Sequence, residues 1–166
     1  MGTTVNLYNL GEVEVSYKYL STFENRLVVK TPAEALNTLC HLYHKESMGI
    51  QEQFLVIYLN KSNMVIGSCN LFRGSISACV VDIKLILAVG IKLMANSVIL
   101  SHNHPSGNLK PSEQDLSLTK KIQSALETVE MSLLDHLIVS PDFIPALNAG
   151  ESGNTDMMTR CLSVTS

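Results

Sequence analysis

Hydrophobic and polar positions along this chain follow strand-like and helix-like patterns in turn. The run from Glu52 to Asn60 is short and apolar on both faces, which is typical of a strand buried inside a sheet. A turn at residues 61–63 and a second apolar run from Met64 to Phe72 predict that this strand continues into a hairpin. Three further segments have strand patterns: Ser97 to His102, Leu133 to Ser140 and, more weakly, Glu12 to Tyr19.

Three helices are predicted between these strands. Thr31 and Glu34 form a capping box, and Asp82 can cap a helix from Ile83 to about Ala95. A third helix begins at Ser112, and its predicted buried face is Leu116, Thr119, Ile122, Leu126 and Val129. Strands and helices in this order predict an α/β domain with a central mixed sheet flanked by helices.

The composition fits one folded domain. The 166 residues are 46% hydrophobic and 16% charged, and we expect a loose N-terminus over 1–10, a domain over 11–147 and a disordered tail over 148–166. The most apolar stretch, Val80 to Leu100, contains Asp82, Lys84 and Lys92, so we expect no membrane span. The N-terminus has no signal-peptide pattern, and a cytoplasmic location is expected.

Net charge limits the binding partners that we expect, and cysteine spacing limits the expected state of the thiols. The net charge is −3, no basic run is present, and direct binding of DNA by this chain alone is therefore not expected. The four cysteines are widely spaced without a C-x-x-C pair, which favours reduced thiols over a disulfide or a cysteine zinc site. Nothing in the sequence indicates the oligomeric state.

The residues with the most informative chemistry follow the strand that ends at His102. Side chains two apart on a strand point to the same face with Cα atoms about 6.6 Å apart, so His102 and His104 can converge on one metal ion. Asp115, in the first turn of the next helix, can supply a third ligand. Two imidazoles and one carboxylate leave a fourth position for water, the pattern of a catalytic zinc site.

Catalysis at such a site also needs a group that moves protons. Glu52, at the edge of an apolar strand, is the best candidate for a general base, and Glu46 is the alternative. Ser112 could stabilise the negative charge that develops on an oxyanion.

Each of these residues also has a purely structural explanation. His102 and His104 could be buried histidines satisfied by hydrogen bonds, and Ser112 with Asp115 is also a helix-capping arrangement. Both interpretations of Ser112 and Asp115 can hold together. His136 next to Asp135 is interpreted as a satisfied polar pair at a sheet edge, and His41 and His44 as surface residues.

These residues resemble the JAMM motif of the MPN+ metalloproteases, a Glu followed after a long gap by His-x-His-x7-Ser-x2-Asp. The motif is matched by Glu52, His102, His104, Ser112 and Asp115. The stretches EQFLVIYLN, LFRGSIS, VILSHNHPSGNLKPSEQDLSLTKKI and LLDHLIV are similar to the RadC-like branch over roughly residues 50 to 140. Two departures lie outside the motif: Ile83-Lys84-Leu85 stands where that family has Pro-Arg-Glu, and SPDFIPALNAG follows LLDHLIV.

The resemblance implies a single domain of the MPN (cytidine-deaminase-like) fold that binds Zn²⁺ through His102, His104 and Asp115. It implies hydrolysis of a peptide or isopeptide bond in a peptide or protein substrate, with Glu52 as general base and then acid and Ser112 at the oxyanion. RadC-like proteins have also carried a DNA-repair label, so a DNA-associated factor, with or without hydrolysis, is the alternative. A metal-bound but inactive interaction domain is a third. A zinc deaminase is disfavoured, because the P-C-x-x-C part of its signature is absent.

Overall fold

The computed structural model describes residues 27–73, 81–142 and 159–161. Helices and strands occur in the following order: α1 (Pro32–Leu42), a short 3-10 helix (Lys45–Ser47), β1 (Gln53–Leu59), β2 (Val65–Arg73), α2 (Ile83–Leu93), β3 (Ser97–Asn103), α3 (Glu113–Glu127), β4 (Ser132–Val139) and β5 (Thr159–Cys161). This order confirms the predicted α/β class. The predicted strand over Glu12 to Tyr19 and the loose segment 1–10 lie outside the described residues.

The strands form one mixed sheet in the order β2-β1-β3-β4-β5. The β1–β2 hairpin, the β1–β3 pair and the β4–β5 pair are antiparallel, whereas β3 and β4 are parallel and are connected through α3. In this register His102 of β3 lies between Phe54 of β1 and Ile138 of β4. The C-terminal end of β3 therefore sits in the interior of the sheet, directly before the chain turns into α3.

Two apolar layers cover the two faces of the sheet. Alternate side chains of β1 point into one layer and then into the other. Leu55, Ile57 and Leu59 belong to the cluster that includes Leu36 and Leu39 of α1. Phe54, Val56 and Tyr58 belong to the opposite cluster, which includes residues of α2 and α3: Ile86, Ile122 and Leu126. All seven residues of β1 are buried, because helices cover both sides of the strand. Burial on both faces explains why β1 is continuously apolar.

The helices begin where the sequence predicts them. Thr31 and Glu34 form the expected capping box, and the Asp82 side chain accepts a hydrogen bond from the Lys84 N–H. Helix α2 ends at Leu93, two residues earlier than expected, because Met94 adopts a left-handed conformation with φ of 51°. The Ala95 N–H then bonds to the Gly90 carbonyl and closes the helix end.

Two expectations about α3 and the C-terminus differ from the structure. Leu116, predicted on the buried face of α3, is 37% exposed, because it lies in the first turn beside Asp115 rather than over the apolar layer. Thr119, Ile122 and Leu126 are buried as predicted. Within the segment 148–166, predicted to be a disordered tail, residues 159–161 form β5, since the outer edge of β4 offers backbone partners at Leu137–Val139. The domain boundaries themselves stay predictions.

The α-helices of the described residues are short. The longest of them, α3, has 15 residues. None of them combines the length and the apolarity that a transmembrane helix needs.

Candidate metal centre

The end of β3 brings two imidazole rings together. His102 lies on the strand and is buried, and His104 follows two residues later and is half-buried. Their Nε2 atoms are 3.0 Å apart, and their ring centroids are 4.8 Å apart. The period-two geometry of the strand thus produces the convergence that the His-x-His spacing predicts.

The first turn of α3 brings a carboxylate to the same point. Asp115 Oδ1 is 3.3 Å from His102 Nε2, and Oδ2 is 3.6 Å from His104 Nε2. The chain between β3 and α3 reverses through a turn in which Gly107 has a positive φ of 75°, a conformation that favours glycine. His102, His104 and Asp115 together form a group that could hold a metal ion.

The distances between these atoms fit a zinc ion. Ligand atoms that lie about 2.0–2.1 Å from a tetrahedral zinc are separated from one another by about 3.3 Å. The three separations here, 3.0, 3.3 and 3.6 Å, bracket that value. His104 Nδ1 faces the backbone carbonyl of Asn108, which can only accept a hydrogen bond, so the hydrogen is on Nδ1 and the lone pair on Nε2 faces the other two ligands. The set of donor atoms is therefore suited to a cation.

Ser112 orients the carboxylate. Its backbone N–H and its hydroxyl donate hydrogen bonds to Asp115 Oδ2 at 2.7 and 2.6 Å, and its Oγ accepts the Asp115 N–H at 3.1 Å. This is a reciprocal capping box at the start of α3. Helix capping and orientation of a ligand therefore occur together. Because the hydroxyl hydrogen is directed to Asp115 here, the oxyanion role of Ser112 stays a prediction.

The electrostatics of the site favour positive charge. Burial opposes ionisation of Asp115, but the contacts with the His102 and His104 imidazoles and the hydrogen bonds from Ser112 outweigh it and hold the pKa of Asp115 well below its usual range. The hydrogen bond to Asp115 in turn raises the pKa of His104, and the negative charge of Glu52 adds to that effect. The cluster therefore has a strongly ionised carboxylate beside an imidazole that gains a proton easily.

The predicted base lies beside this cluster. Glu52 is half-buried and directly precedes β1. The β1–β3 register pairs Phe54 with His102, and continuing it by two residues brings Glu52 opposite His104. The alternative base, Glu46, is exposed on the short 3-10 helix. The assignment of Glu52 as the base stays a prediction.

Two residues of the site escaped sequence reasoning. The sequence predicts a polar pair of His136 and Asp135 at a sheet edge. Asp135 does accept the backbone N–H of His136 at 2.8 Å, but β4 lies inside the sheet between β3 and β5. The ring itself is fully buried, with Nε2 at 2.8 Å from His102 Nδ1 and Nδ1 at 2.7 Å from the Thr119 hydroxyl. The sequence predicts Thr119 only as part of the buried face of α3. Its spacing of four residues from Asp115 was the one signal in the sequence that could have indicated a connection with the site.

Comparison with known proteins agrees with this architecture. A family model described as RadC-like JAB domain matches residues 29–149, which include both histidines, Asp115 and Glu52. The chain belongs to this RadC-like JAB domain family.

Several curated relatives are named only as UPF0758 proteins. The chain is 45% identical to one from Flavobacterium johnsoniae over 89 residues, covering 54% of this chain and 39% of the relative. It is 39% identical to one from Streptococcus gordonii over 120 residues, covering 72% and 51%, and 34% identical to one from Geobacillus sp. (strain WCH70) over 142 residues, covering 84% and 61%. The chain thus spans about two fifths to three fifths of the length of these relatives.

Proposed function

We propose that this domain is a zinc-dependent hydrolase that cleaves a peptide or isopeptide bond in a peptide or protein substrate. The observation that carries the proposal is the convergence of His102 Nε2, His104 Nε2 and the Asp115 carboxylate within 3.0 to 3.6 Å of one another. Two imidazoles and a single carboxylate are a ligand set typical of catalytic rather than structural zinc.

His102, His104 and Asp115 would hold the ion, and the residues around them would do the remaining work. When bound, zinc supplies Lewis-acid chemistry and lowers the pKa of a water molecule to about 7. The Glu52 carboxylate accepts a proton from the attacking water and then delivers it to the leaving amine nitrogen. Its half-buried position next to β1 supports this role, because a carboxylate there can face the site and still contact solvent.

Ser112 contributes in two ways under this proposal. Its two hydrogen bonds to Asp115 Oδ2 keep that carboxylate in one orientation. Its hydroxyl lies close enough to the ligand cluster to donate to an oxygen that gains negative charge, once its hydrogen turns away from Asp115.

A combined metal and activity assay tests the proposal. Protein purified without chelator is analysed for metal and then screened against peptide and lysine-linked isopeptide substrates. The screen is run as purified, after removal of metal, and after zinc is restored. We expect cleavage in the first and third samples and not in the second. His102→Ala should lose both zinc and cleavage, whereas His41→Ala, an exposed histidine of α1, should keep both. Cleavage that survives complete removal of metal would contradict the proposal.

A further inference from the structure

A chain of hydrogen bonds leads from the back of His102 into the protein. His102 Nδ1 lies 2.8 Å from His136 Nε2, and His136 Nδ1 lies 2.7 Å from Thr119 Oγ1. The Thr119 hydroxyl is in turn 2.6 Å from the backbone carbonyl oxygen of Asp115. His136 and Thr119 are buried, with 0% and 7% of their surface exposed. Two side chains on β4 and α3 therefore connect two of the three candidate ligands through the interior.

The carbonyl of Asp115 sets the direction of the first hydrogen bond. A carbonyl oxygen only accepts hydrogen bonds, so the single hydrogen of the Thr119 hydroxyl is donated to it. The hydroxyl oxygen then faces His136 Nδ1 at 2.7 Å with only lone pairs to offer. The hydrogen in that contact must therefore come from His136 Nδ1.

The tautomer of His136 in turn determines which atom donates in its hydrogen bond with His102. Its ring is fully buried, and its nitrogens face a neutral hydroxyl and another imidazole, surroundings that favour a neutral ring. A neutral imidazole with hydrogen on Nδ1 has only a lone pair on Nε2. His102 Nδ1 must then be the donor at 2.8 Å, and the Nε2 of His102 is left without hydrogen.

We propose that Thr119 and His136 are positioning residues of the metal centre, which fix His102 in the tautomer whose Nε2 lone pair faces Asp115 and His104. This inference rests on the proposed zinc site, and it adds two residues that the ligand motif does not contain. His104 reaches the same tautomer through the backbone carbonyl of Asn108. The tautomer of His104 is therefore fixed by a main-chain carbonyl, whereas the tautomer of His102 depends on the side chains of His136 and Thr119.

Aromatic packing holds the His102 and His136 rings in place. We call the hydrogen-bonded series His102–His136–Thr119 the relay. The ring of Phe54 is stacked on His102 with 6.2 Å between centroids and 9° between planes. The same ring meets His136 edge-on at 5.6 Å and 68°. Rotation of either imidazole would break this packing as well as the hydrogen bonds, so the relay is well ordered before any ion binds.

Ring-nitrogen NMR of the metal-free protein tests the tautomer without any variant. At alkaline pH, where histidines are neutral, we expect His102 and His136 to carry hydrogen on Nδ1 and none on Nε2. Thr119→Val removes the hydroxyl at nearly constant shape and should change the tautomer populations of both rings. Thr119→Ser keeps the hydroxyl and should preserve the wild-type spectrum. A wild-type His102 with hydrogen on Nε2 would overturn the proposal.

Zinc affinity provides the second measurement, and it requires no substrate. We expect Thr119→Val and His136→Leu to bind zinc about 10- to 100-fold more weakly, the usual effect of losing a partner behind a histidine ligand. Thr119→Ser should stay within about threefold of wild type. Wild-type affinity in Thr119→Val would overturn the relay alone and leave the proposed hydrolase standing. Failure of the wild-type protein to bind zinc at all would overturn both.

Discussion

The side chain of Asn103 holds the backbone on both sides of Glu52. Asn103 Oδ1 accepts the N–H of Gln53 at 2.7 Å, and Nδ2 donates to the carbonyl of Gln51 at 3.1 Å and to that of Met48 at 2.7 Å. Asn103 stands in sequence between His102 and His104, and its side chain is fully buried. The candidate base is thereby tied to the strand that carries two candidate metal ligands.

Replacement of Asn103 should therefore cost stability. Asn103→Ala leaves the Gln53 N–H and two carbonyl groups without their partner, and an unsatisfied buried group costs about 1–3 kcal/mol. We expect the free energy of unfolding to fall by at least about 2 kcal/mol, measured by denaturant titration. Asn103→Asp keeps the acceptor but turns the donor into an oxygen that faces two carbonyl oxygens, and should be no more stable than Asn103→Ala.

Asn37→Ala is the matched control, because Asn37 is exposed on α1. It should change the free energy of unfolding by no more than about 0.5 kcal/mol. Equal denaturation midpoints for Asn103→Ala and Asn37→Ala would show that the hydrogen bonds of the Asn103 side chain do not contribute to stability.

Glu52→Gln should separate catalysis from metal binding. The amide keeps the shape of the side chain but cannot accept a proton at neutral pH. We expect zinc content to stay near that of wild type while cleavage falls by about 100-fold or more, the usual scale for loss of a general base. Zinc is measured by elemental analysis, and cleavage is measured on a substrate found in the screen.

Glu46→Gln is the control for this variant, since Glu46 is exposed on the short 3-10 helix. It should leave both zinc content and cleavage unchanged. A Glu52→Gln protein that cleaves at the wild-type rate, beside a Glu46→Gln protein that does not cleave, would transfer the role of base to Glu46.

Removal of His104 should abolish stable metal binding. We expect the wild-type chain to bind about one equivalent of zinc, and His104→Ala to lose most of it because only two protein ligands would remain. His41→Ala should retain the full equivalent, since His41 is exposed on α1. Full zinc stoichiometry in His104→Ala would refute the ligand assignment.

Zinc affinity should depend on pH through His104. The hydrogen bond to Asp115 raises the pKa of His104 above its ordinary value of 6.5, and a protonated imidazole cannot bind zinc. Affinity should therefore be highest above that raised pKa and should fall as the pH decreases through it. The expected slope approaches about tenfold per pH unit when one proton competes with the ion. Competition with a chelating dye from about pH 8 to about pH 6 measures it. A dissociation constant that stays the same across this range would argue against His104 as a ligand.

Binding of duplex DNA should be weak and sensitive to salt. The chain has 12 basic and 15 acidic residues, and nonspecific affinity for DNA comes from cationic contacts with phosphate. We expect a dissociation constant no tighter than about 10⁻⁶ M at physiological salt, measured by fluorescence anisotropy. Nanomolar binding under those conditions would instead favour the DNA-associated role.

Local signals in the sequence predicted the parts of the structure that local interactions determine. The capping boxes at Thr31 and Ser112 appear where their spacing indicates, because a capping box spans only four residues. The convergence of His102 and His104 follows from the period of a strand. The continuously apolar β1 predicted a buried position in the sheet.

Contacts between distant segments could not be predicted in the same way. His136 meets His102 only because β4 lies parallel to β3, and the register of two strands separated by a helix is not encoded in either strand alone. The period of a strand directs Asn103 to the face opposite its two histidine neighbours, but its partners Met48 and Gln51 lie about 50 residues away in sequence. Strand β5 has three residues, too few to give a recognisable period.

The capping box shared by Ser112 and Asp115 has a consequence for how this domain can diverge. A substitution at Asp115 removes a candidate ligand and, at the same time, the acceptor that receives two hydrogen bonds from Ser112 at the start of α3. The backbone N–H of residue 115 can still bond to Ser112 Oγ, but loss of the hydrogen bonds to the carboxylate costs about 1 kcal/mol. Descendants that abandon metal chemistry would therefore also carry a folding penalty. Selection for a stable fold alone can preserve these two residues in lineages where hydrolysis no longer matters.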